Sequence, residues 1–244
     1  MIRLVTFDFW QTLLADTPAS GAAANALRLS SVGAVLHRAG HSYAPSALEA
    51  ADVRALARLN AIWAEQRDVT PPEQVKVYLA ALAPTLPAAL SDADRAAVEE
   101  AYANPVLTHV PVVAAGAVDA IRALAATGRT LAIISNTGRT PGTTLRRLLA
   151  GAGVLDAFRV FSFSDEVGAR KPSAEIFHCT LAGAGCVPGA AVHIGDDPVN
   201  DVGGARAVGM RAVHYVPDGG PAADGAAAAA RHFGELPSLL DRLG

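Results

Sequence analysis

The feature that most constrains the fold is a regular alternation of short apolar runs and amphipathic segments from Val106 onward. Continuous apolar runs bounded by turn residues are typical of strands buried on both faces. Such strands, when they alternate with helices, form a parallel sheet covered on both sides. We therefore predict a doubly wound, Rossmann-like α/β fold. The predicted strands are 130–134, 160–163, 191–194 and 211–214, the predicted helices are 117–124, 143–150, 174–184, 202–208 and 233–243, and 217–230 is predicted to be a loop.

The first part of the chain has a different organisation. A short apolar run that ends at Asp8 predicts one further strand. Residues 17–104 then carry apolar side chains at helical spacing, interrupted by prolines, and predict roughly four helices. Ser91 is the expected N-cap of the last of them. We predict a core domain formed by residues 1–16 and 105–244, with residues 17–104 inserted as a helical cap domain.

Composition limits the class of partner. The 244 residues carry a formal charge of −3 and no long basic run, which argues against a dedicated nucleic-acid surface. No apolar run reaches membrane-spanning length without a charge, so no membrane partner is expected. A small-molecule substrate is the expected partner, and the oligomeric state is left open.

The cysteines and the start of the chain predict a compartment. Cys179 and Cys186 are the only cysteines, which suits two reduced thiols in a cytosolic protein. Met1 leads directly into the first predicted strand, so we expect no cleavable leader. The predicted location is cytoplasmic.

Polar residues follow the predicted strands where ligand sites of open α/β sheets lie, outside the carboxyl ends of the strands. Asp8, Ser135 and Asp196 come directly after apolar runs; Asp201 follows Asp196 by five residues, and Lys171 lies on the loop after the predicted strand 160–163. Carboxylates that converge there repel one another unless a cation lies between them, and Mg²⁺ prefers oxygen ligands. Each residue also has an ordinary alternative, because strand ends are rich in turn formers and helix N-caps.

This arrangement predicts an anion-binding site with a nucleophile. A divalent cation, the Lys171 ammonium and the Ser135 hydroxyl would together hold an anionic group. Asp8 would then be a nucleophile that faces a polarised phosphorus centre.

The chain resembles the haloacid dehalogenase (HAD) superfamily over nearly its whole length. The resemblance is strongest at Val167-Gly168-Ala169-Arg170-Lys171-Pro172 and at Ile194-Gly195-Asp196-Asp197-Pro198-Val199-Asn200-Asp201-Val202-Gly203-Gly204-Ala205, which match the third and fourth motifs of the family. The predicted helical cap domain is similar to the all-helical cap that some members insert between their first two motifs.

The resemblance implies a role for each polar residue that handles the transferring group. Asp8 would attack to form a covalent aspartyl intermediate, and Lys171 would neutralise charge on Asp8 and on that group. Thr12 and Ser135 would bind the transferring group. Asn136 would either contact the substrate or hold its own loop.

The resemblance also implies a Mg²⁺ site. Asp8, the main-chain carbonyl of Trp10 and Asp196 would bind the ion directly, and Asp201 would bind it through water or support the ligands. Asp197 is adjacent to Asp196 and could exchange roles with it.

Trp10 departs from the phosphatases of this family, which carry a second Asp two residues after the nucleophile. That Asp protonates the leaving oxygen and then activates water. An indole donates one N–H but does not exchange a proton near neutral pH. Without compensation, the loss of general acid–base catalysis costs roughly 10²–10⁴ in rate.

The departure leaves several alternatives open. The 2-haloacid dehalogenases of the family have an aromatic residue at the position of Trp10, but they work without metal and lack the acidic cluster. A phosphonate-cleaving branch uses a cap lysine, for which Lys76 is the sole candidate. Asp16 is the nearest substitute acid, although it equally suits a helix N-cap. A metal- or metabolite-binding protein with little chemistry is a further alternative.

The function predicted from these residues is a Mg²⁺-dependent hydrolase of small phosphate esters that acts through an aspartyl-phosphate at Asp8. Substrate choice is expected to reside in the cap domain, because the core residues recognise the transferring group alone. Eligible cap contacts, none assigned as a site, are Arg28, Arg38, Trp63 and Tyr78.

Overall fold

A computed structural model describes residues 1–244, and its centre is a parallel sheet of six strands. Its strands are β1 Leu4–Phe7, β4 Thr130–Ser135, β5 Phe158–Phe163, β6 Ala191–Gly195, β7 Arg211–Tyr215 and β8 Ala228–Ala230. They lie side by side in the order β5-β4-β1-β6-β7-β8. This confirms the predicted doubly wound α/β fold.

Strand β1 occupies the middle of the sheet, which explains its apolar sequence. Phe7 lies opposite Ile133 of β4 on one side and Ile194 of β6 on the other. All four residues of β1 are buried, as expected for a strand that is covered on both faces. The chain continues to one side of β1 first and returns to the other side later. In a parallel sheet whose strand order reverses in this way, ligands bind outside the carboxyl ends of the strands at the point of reversal. Here that point follows Phe7.

Helices cover both faces of the sheet and close two apolar cores. One core of 28 buried residues lies on the side of Phe7 and Phe233, and a second core of 11 lies on the side of Leu4 and Phe177. The helices concerned are α6 Ala117–Ala126, α7 Gly142–Gly151, α8 Ser164–Val167, α9 Ala174–Gly183, α10 Gly204–Ala207 and α11 Leu236–Leu243.

Five helices between Ala15 and Val112 form a segment that we call the helical insert, and they share a core of 14 buried residues. Ser91 caps the last of these helices by accepting a hydrogen bond from the Asp94 amide, as predicted. A small antiparallel pair of strands, β2 Leu14–Ala15 and β3 Val112–Val113, joins the two ends of the insert. The helices are α1 Pro18–Arg38, α2 Pro45–Ala64, α3 Pro71–Leu82, α4 Leu86–Ala89 and α5 Asp92–Ala103.

Three local predictions differ from the structure. Strand β8 lies within the predicted loop 217–230, because three alanines of low strand propensity are held by pairing with β7. The helix predicted at 202–208 begins earlier, as a π-helical turn at Pro198–Gly203. The insert contains five helices rather than four, the additional one being a single turn. None of the helices combines the length and apolar character that crossing a membrane requires.

Candidate active site

Four charged side chains meet at the carboxyl end of β1, and we call Asp8, Lys171, Asp196 and Asp201 the reactive cluster. Lys171 Nζ donates to Asp8 Oδ1 and to Asp201 Oδ1, each at 2.5 Å. Asp8, Lys171 and Asp201 are buried, and Asp196 is partly buried. The cluster lines a pocket of about 180 Å³. The structure thus brings together four residues that are separated by as many as 193 positions in the sequence.

Local backbone geometry places the carboxylates. Asp8 directly follows β1, and Asp196 directly follows the neighbouring strand β6. Gly195, the last residue of β6, packs against the Asp201 side chain and must lack a Cβ, because a Cβ at that position would lie 2.2 Å from Asp201 Cγ. The Asp197 amide donates to Asp201 Oδ2 at 2.9 Å and fixes the turn that returns Asp201 to the strand end.

Asn136 holds the segment that carries Lys171. Its Nδ2 donates to the Lys171 carbonyl at 3.0 Å, and its Oδ1 accepts from the Lys171 amide at 2.7 Å. Both ends of the side-chain amide are therefore engaged with the Lys171 main chain. Of the two roles expected for Asn136, this geometry favours holding the loop over contacting a substrate.

The cluster carries more negative than positive charge. Burial raises the pKa of Asp8 to about 7; Lys171 opposes this shift, and Asp201 and Asp196 add to it. Burial also raises the pKa of Asp196. Although burial works against ionisation of Asp201, the Lys171 ammonium and the His193 hydrogen bond hold its pKa below the usual range. The cluster thus holds three carboxylates and one ammonium, which contacts Asp8 and Asp201 but not Asp196, and a further cation would relieve the excess of negative charge.

His193 of β6 contacts the cluster through Asp201, and it is not among the residues predicted from the sequence. Its Nε2 lies 3.0 Å from Asp201 Oδ1, and its Nδ1 lies 2.8 Å from Thr6 Oγ1. Burial lowers the pKa of His193 and so favours the neutral imidazole, although the hydrogen bond with Asp201 acts in the opposite direction. In the neutral form, Nε2–H donates to Asp201, and Nδ1 accepts from Thr6. The one signal in the sequence is a histidine within the apolar run of β6.

The carboxylates fit a hard divalent cation. Asp8, Asp196 and Asp201 each offer an oxygen, and these oxygens lie within 4.8 Å of one another. Both Asp201 oxygens already accept hydrogen bonds, whereas Asp8 Oδ2 and Asp196 Oδ2 accept none. No backbone amide donates to the Trp10 carbonyl. Asp8 and Asp196 thus each keep an oxygen that could bind a cation, the Trp10 carbonyl is not occupied by an amide, and Asp201 is held by Lys171 and His193.

The two hydroxyl residues predicted to bind the transferring group lie beside the strand ends. Thr12 is buried and donates to Asp196 Oδ1 at 3.1 Å. Ser135 ends β4, and its buried Oγ has no hydrogen-bond partner in the protein. Buried hydroxyls without partners are rare in folded proteins, so Ser135 has an unused capacity to bind an oxygen or another polar group.

Two acidic residues weighed as alternatives have other partners. Asp197 caps the π-helical turn, since its Oδ1 accepts from the Val199 and Asn200 amides. The structure therefore does not support an exchange of roles between Asp197 and Asp196. Asp16 accepts a hydrogen bond from Gln11 at 2.8 Å, and the N-cap of α1 is Thr17.

Trp10 separates the reactive pocket from a larger cavity of about 440 Å³ between the insert and the core, and it lines both. Of the eligible contacts in the insert, Arg28 and Trp63 line this cavity. Arg38 is exposed and Tyr78 is buried among apolar side chains of the insert. Lys76 lines neither cavity, which removes the support for the phosphonate-cleaving alternative.

A second charged group joins the insert to the core, and we call Asp68, Thr137, Ser164 and Arg170 the Asp68 cluster. Asp68 Oδ2 accepts from Arg170 Nη1 and Ser164 Oγ, each at 2.5 Å, and from Thr137 Oγ1 at 3.4 Å. Asp68 Oδ1 accepts from Trp63 Nε1 at 2.8 Å. The members of this cluster are distant in the chain and give no local signal of their contact, so the cluster is not predictable from the sequence.

The backbone adds to this connection. The Asp68 amide donates to the Gly168 carbonyl, and the Arg170 amide donates to the Gln66 carbonyl, each at 2.9 Å. Residues 66–68 of the insert thus pair with residues 168–170, directly before Lys171.

Comparison with known sequences identifies relatives with two kinds of description. A phosphoserine phosphatase of Thermus thermophilus is 43% identical over 68 residues, which cover 28% of this chain and 27% of that protein. The haloacid dehalogenase-like hydrolase domain-containing protein 3 of Xenopus laevis is 33% identical over 120 residues, or 49% of this chain and 48% of that protein. The chain spans about a quarter to a half of the length of these relatives.

Solved structures agree over the full length of the chain. A 2-haloacid dehalogenase from Pseudomonas syringae pv. Tomato DC3000 superposes with a TM-score of 0.73 at 26% identity, with 100% of both chains covered. A HAD phosphatase from Thermococcus onnurineus shares the fold, with a TM-score of 0.59 at 23% identity and 98% of both chains covered.

The family assignment rests on most of the chain. A family model of haloacid dehalogenase-like hydrolases matches residues 2–209, a span that contains both motifs quoted above and the reactive cluster. This match confirms the resemblance. The chain belongs to the haloacid dehalogenase-like hydrolases.

Proposed function

We propose that this protein is a Mg²⁺-dependent hydrolase of small phosphate esters that acts through an aspartyl-phosphate at Asp8. The observation that carries the proposal is the excess of buried carboxylate over ammonium in the reactive cluster. A metal-free dehalogenase has no use for three converging carboxylates, whereas phosphoryl transfer assisted by a divalent cation does. The relative named phosphoserine phosphatase is consistent with this substrate class.

The residues of the cluster divide the reaction between them. Asp8 bonds to phosphorus through one carboxylate oxygen while the bond from phosphorus to the ester oxygen breaks. Lys171 holds Asp8 through Oδ1 and offsets charge on the transferring group. Ser135, whose Oγ has no partner in the protein, donates a hydrogen bond to an oxygen of that group, and Thr12 orients Asp196 by donating to its Oδ1. The chemistry that Mg²⁺ supplies when bound, through Asp8, Asp196 and the Trp10 carbonyl, is neutralisation of phosphoryl charge.

Proton transfer is the weak step of this scheme. The leaving oxygen takes its proton from solvent, because Trp10 cannot supply one. A water molecule then attacks phosphorus, regenerates the Asp8 carboxylate and leaves inorganic phosphate. Slow turnover follows from this arrangement, since no side chain takes the place of the second Asp.

A dehalogenase is the second candidate, and specific observations favour it. Trp10 is an aromatic residue at the position where 2-haloacid dehalogenases of the family have one, and a structure of that description superposes over the whole chain. In this alternative Asp8 would displace halide from carbon, a step that needs no proton donor. A protein that binds a metal or metabolite without turnover is a third candidate, because a fold does not guarantee the chemistry of its family.

One experiment separates the three candidates. Purified protein is incubated with Mg²⁺ and a panel of phosphate monoesters, and separately with 2-chloropropionate in the absence of metal. Wild type is compared with Asp8→Asn and with Asp119→Asn, a matched change on the exposed surface of α6. Phosphate release that chelation and Asp8→Asn abolish, and Asp119→Asn leaves unchanged, supports the proposal. Halide release would replace it with the dehalogenase, and inactivity in both assays with the binding protein.

A further inference from the structure

Arg28 is a buried cation without an ion-pair partner, on the wall of the larger cavity. The residue is 4% exposed, yet no carboxylate lies within ion-pair distance of its guanidinium. Its Nε donates to the Tyr102 carbonyl at 2.7 Å, its Nη1 donates to Asn25 Oδ1 at 3.1 Å, and the Tyr102 ring lies 5.4 Å away. These are all neutral partners, although buried charges in proteins are normally paired.

Arg139 brings a second guanidinium to the same place from the core. Its Nη1 donates to Asn25 Oδ1 at 2.9 Å, so both guanidinium groups contact one amide oxygen. The nearby carboxylate, Asp52, is taken by Arg139 at 2.7 Å. Arg139 follows Ser135 by four residues on the loop after β4, which links this wall of the cavity to the reactive pocket.

This wall of the cavity holds two guanidinium groups, and the Asp16 carboxylate lines the same cavity. Asp52 pairs with Arg139, whereas Arg28 contacts no carboxylate. Burial and the neighbouring charge of Arg139 lower the pKa of Arg28 to about 10, although Asp52 acts in the opposite direction. His109 and Asp16 also line the cavity, and Asp16 contacts Gln11 at 2.8 Å. Three guanidinium nitrogens, Nη2 of Arg28 and both Nε and Nη2 of Arg139, make no hydrogen bond within the protein.

We propose that Arg28, with the free edge of Arg139, binds a carboxylate on the leaving-group end of the substrate. A carboxylate accepts the paired hydrogen bonds that guanidinium groups donate, and it would give the buried Arg28 the ion pair that it lacks in the protein. Trp10 lines both cavities, so one extended molecule reaches the two sites past its ring. The inference rests on the proposed phosphoryl transfer for the other end of the substrate, and it specifies phosphate esters that also carry a carboxylate.

The test measures binding, so that turnover is not needed. Calorimetry is performed on Asp8→Asn protein in Mg²⁺ with ω-carboxyalkyl phosphates of increasing length, each paired with the alkyl phosphate of the same length. We expect at least one carboxylated member to bind about tenfold or more tightly than its pair, the scale of a charge-assisted contact. Adding Arg28→Gln should remove that preference and leave the affinity for alkyl phosphates unchanged.

Three controls keep the result specific. Arg58→Gln makes the same change of charge on an exposed part of α2 and should preserve the preference. Arg28→Lys keeps the positive charge and should retain part of the preference, and thermal unfolding of each variant reports whether the fold is intact. An alkyl bisphosphate that binds more tightly than every carboxylated member would overturn the assignment to a carboxylate.

The outcomes separate this inference from the proposed function. Equal affinities within every pair, or an Arg28→Gln variant that weakens both members equally, overturn the carboxylate site. Absence of phosphate release by wild-type protein from all esters overturns the proposed function, while a carboxylate preference that depends on Arg28 would still support the site.

Discussion

Arg170 and Lys171 are consecutive in the chain, but they enter two clusters that differ in their balance of negative and positive charge. In the Asp68 cluster, one carboxylate receives a guanidinium, two hydroxyls and an indole N–H. In the reactive cluster, one ammonium contacts two carboxylates, and the third, Asp196, has no cationic partner. The Asp68 cluster is complete within the protein, whereas the reactive cluster becomes balanced only with a ligand.

This difference separates structure from chemistry. A buried carboxylate with every lone pair satisfied stabilises one arrangement of the chain. A buried cluster with excess charge, or a buried hydroxyl such as Ser135 without a partner, lowers the stability of the fold. Natural proteins keep such groups mainly at functional sites. Removal of charge should therefore act in opposite directions at the two clusters.

The largest effect is expected from Asp8→Asn. Loss of the nucleophile should reduce phosphate release by roughly 10⁴-fold or more. The same change removes part of the carboxylate excess, so the melting temperature in the absence of Mg²⁺ should rise above that of wild type. Phosphate assays and calorimetric melting measure the two quantities. A variant that is both inactive and less stable would contradict the view that the excess charge is held at a cost.

Trp10→Asp tests the missing proton donor. If Trp10 merely replaces an acid, a carboxylate at this position should increase kcat for a phosphate ester, by up to roughly 10²–10⁴. It would also add a negative group to a cluster that already has an excess, so the dependence on Mg²⁺ should become steeper. Steady-state kinetics over a Mg²⁺ titration provide the measurement, with Trp10→Phe as the aromatic control. No increase in a correctly folded variant would show that Trp10 has a positive role or that the chemistry differs.

Asp68→Asn should lower stability where Asp8→Asn raises it. Removal of one member of a buried ion pair costs about 3–5 kcal/mol, because Arg170 is left without a counter-charge. Urea unfolding measures the free energy. Asp92→Asn is the matched control, since the exposed pair of Asp92 with Arg95 is worth about 1 kcal/mol at most. Equal losses in the two variants would show that the Asp68 cluster is not a buried unit.

The smallest effect concerns Mg²⁺ and pH. The pKa of Asp8 is raised from 3.8 to about 7, so the folded protein binds more protons than the unfolded chain between these values. Stability without metal should therefore fall as pH rises through this window. Because Mg²⁺ binds the ionised carboxylate, it should raise the melting temperature more at pH 8 than at pH 5. Equal shifts at both pH values, or the same pH dependence in Asp8→Asn, would assign the effect to other groups.

Sequence reasoning succeeded where local pattern determines the outcome. Buried strands and amphipathic helices follow from periodicity, and the carboxyl ends of parallel strands meet at one edge, which places Asp8 beside Asp196. Strand β8 escaped prediction because its three alanines acquire extended structure from pairing with β7 alone. The roles of the site residues remain predictions, since geometry does not report turnover.

Long-range partners could not be predicted. Asp68 gives no local signal of its contact with Arg170, which lies 102 positions away. His193 is one polar residue in an apolar strand, and its link to Asp201 depends on the turn that Gly195 permits. Arg28 and Arg139 meet because two separate folding units dock, so their shared contact with Asn25 is a property of the tertiary structure.

The backbone pairing of residues 66–68 with residues 168–170 has a mechanical consequence. It works as a rigid coupling between the insert and the loop of the reactive lysine. If the insert swings away from the sheet, it must either rupture this coupling together with the buried Asp68–Arg170 pair, or pull Lys171 along with it. If these contacts stay intact, movement of the insert away from the sheet therefore also moves the Lys171 ammonium away from Asp8.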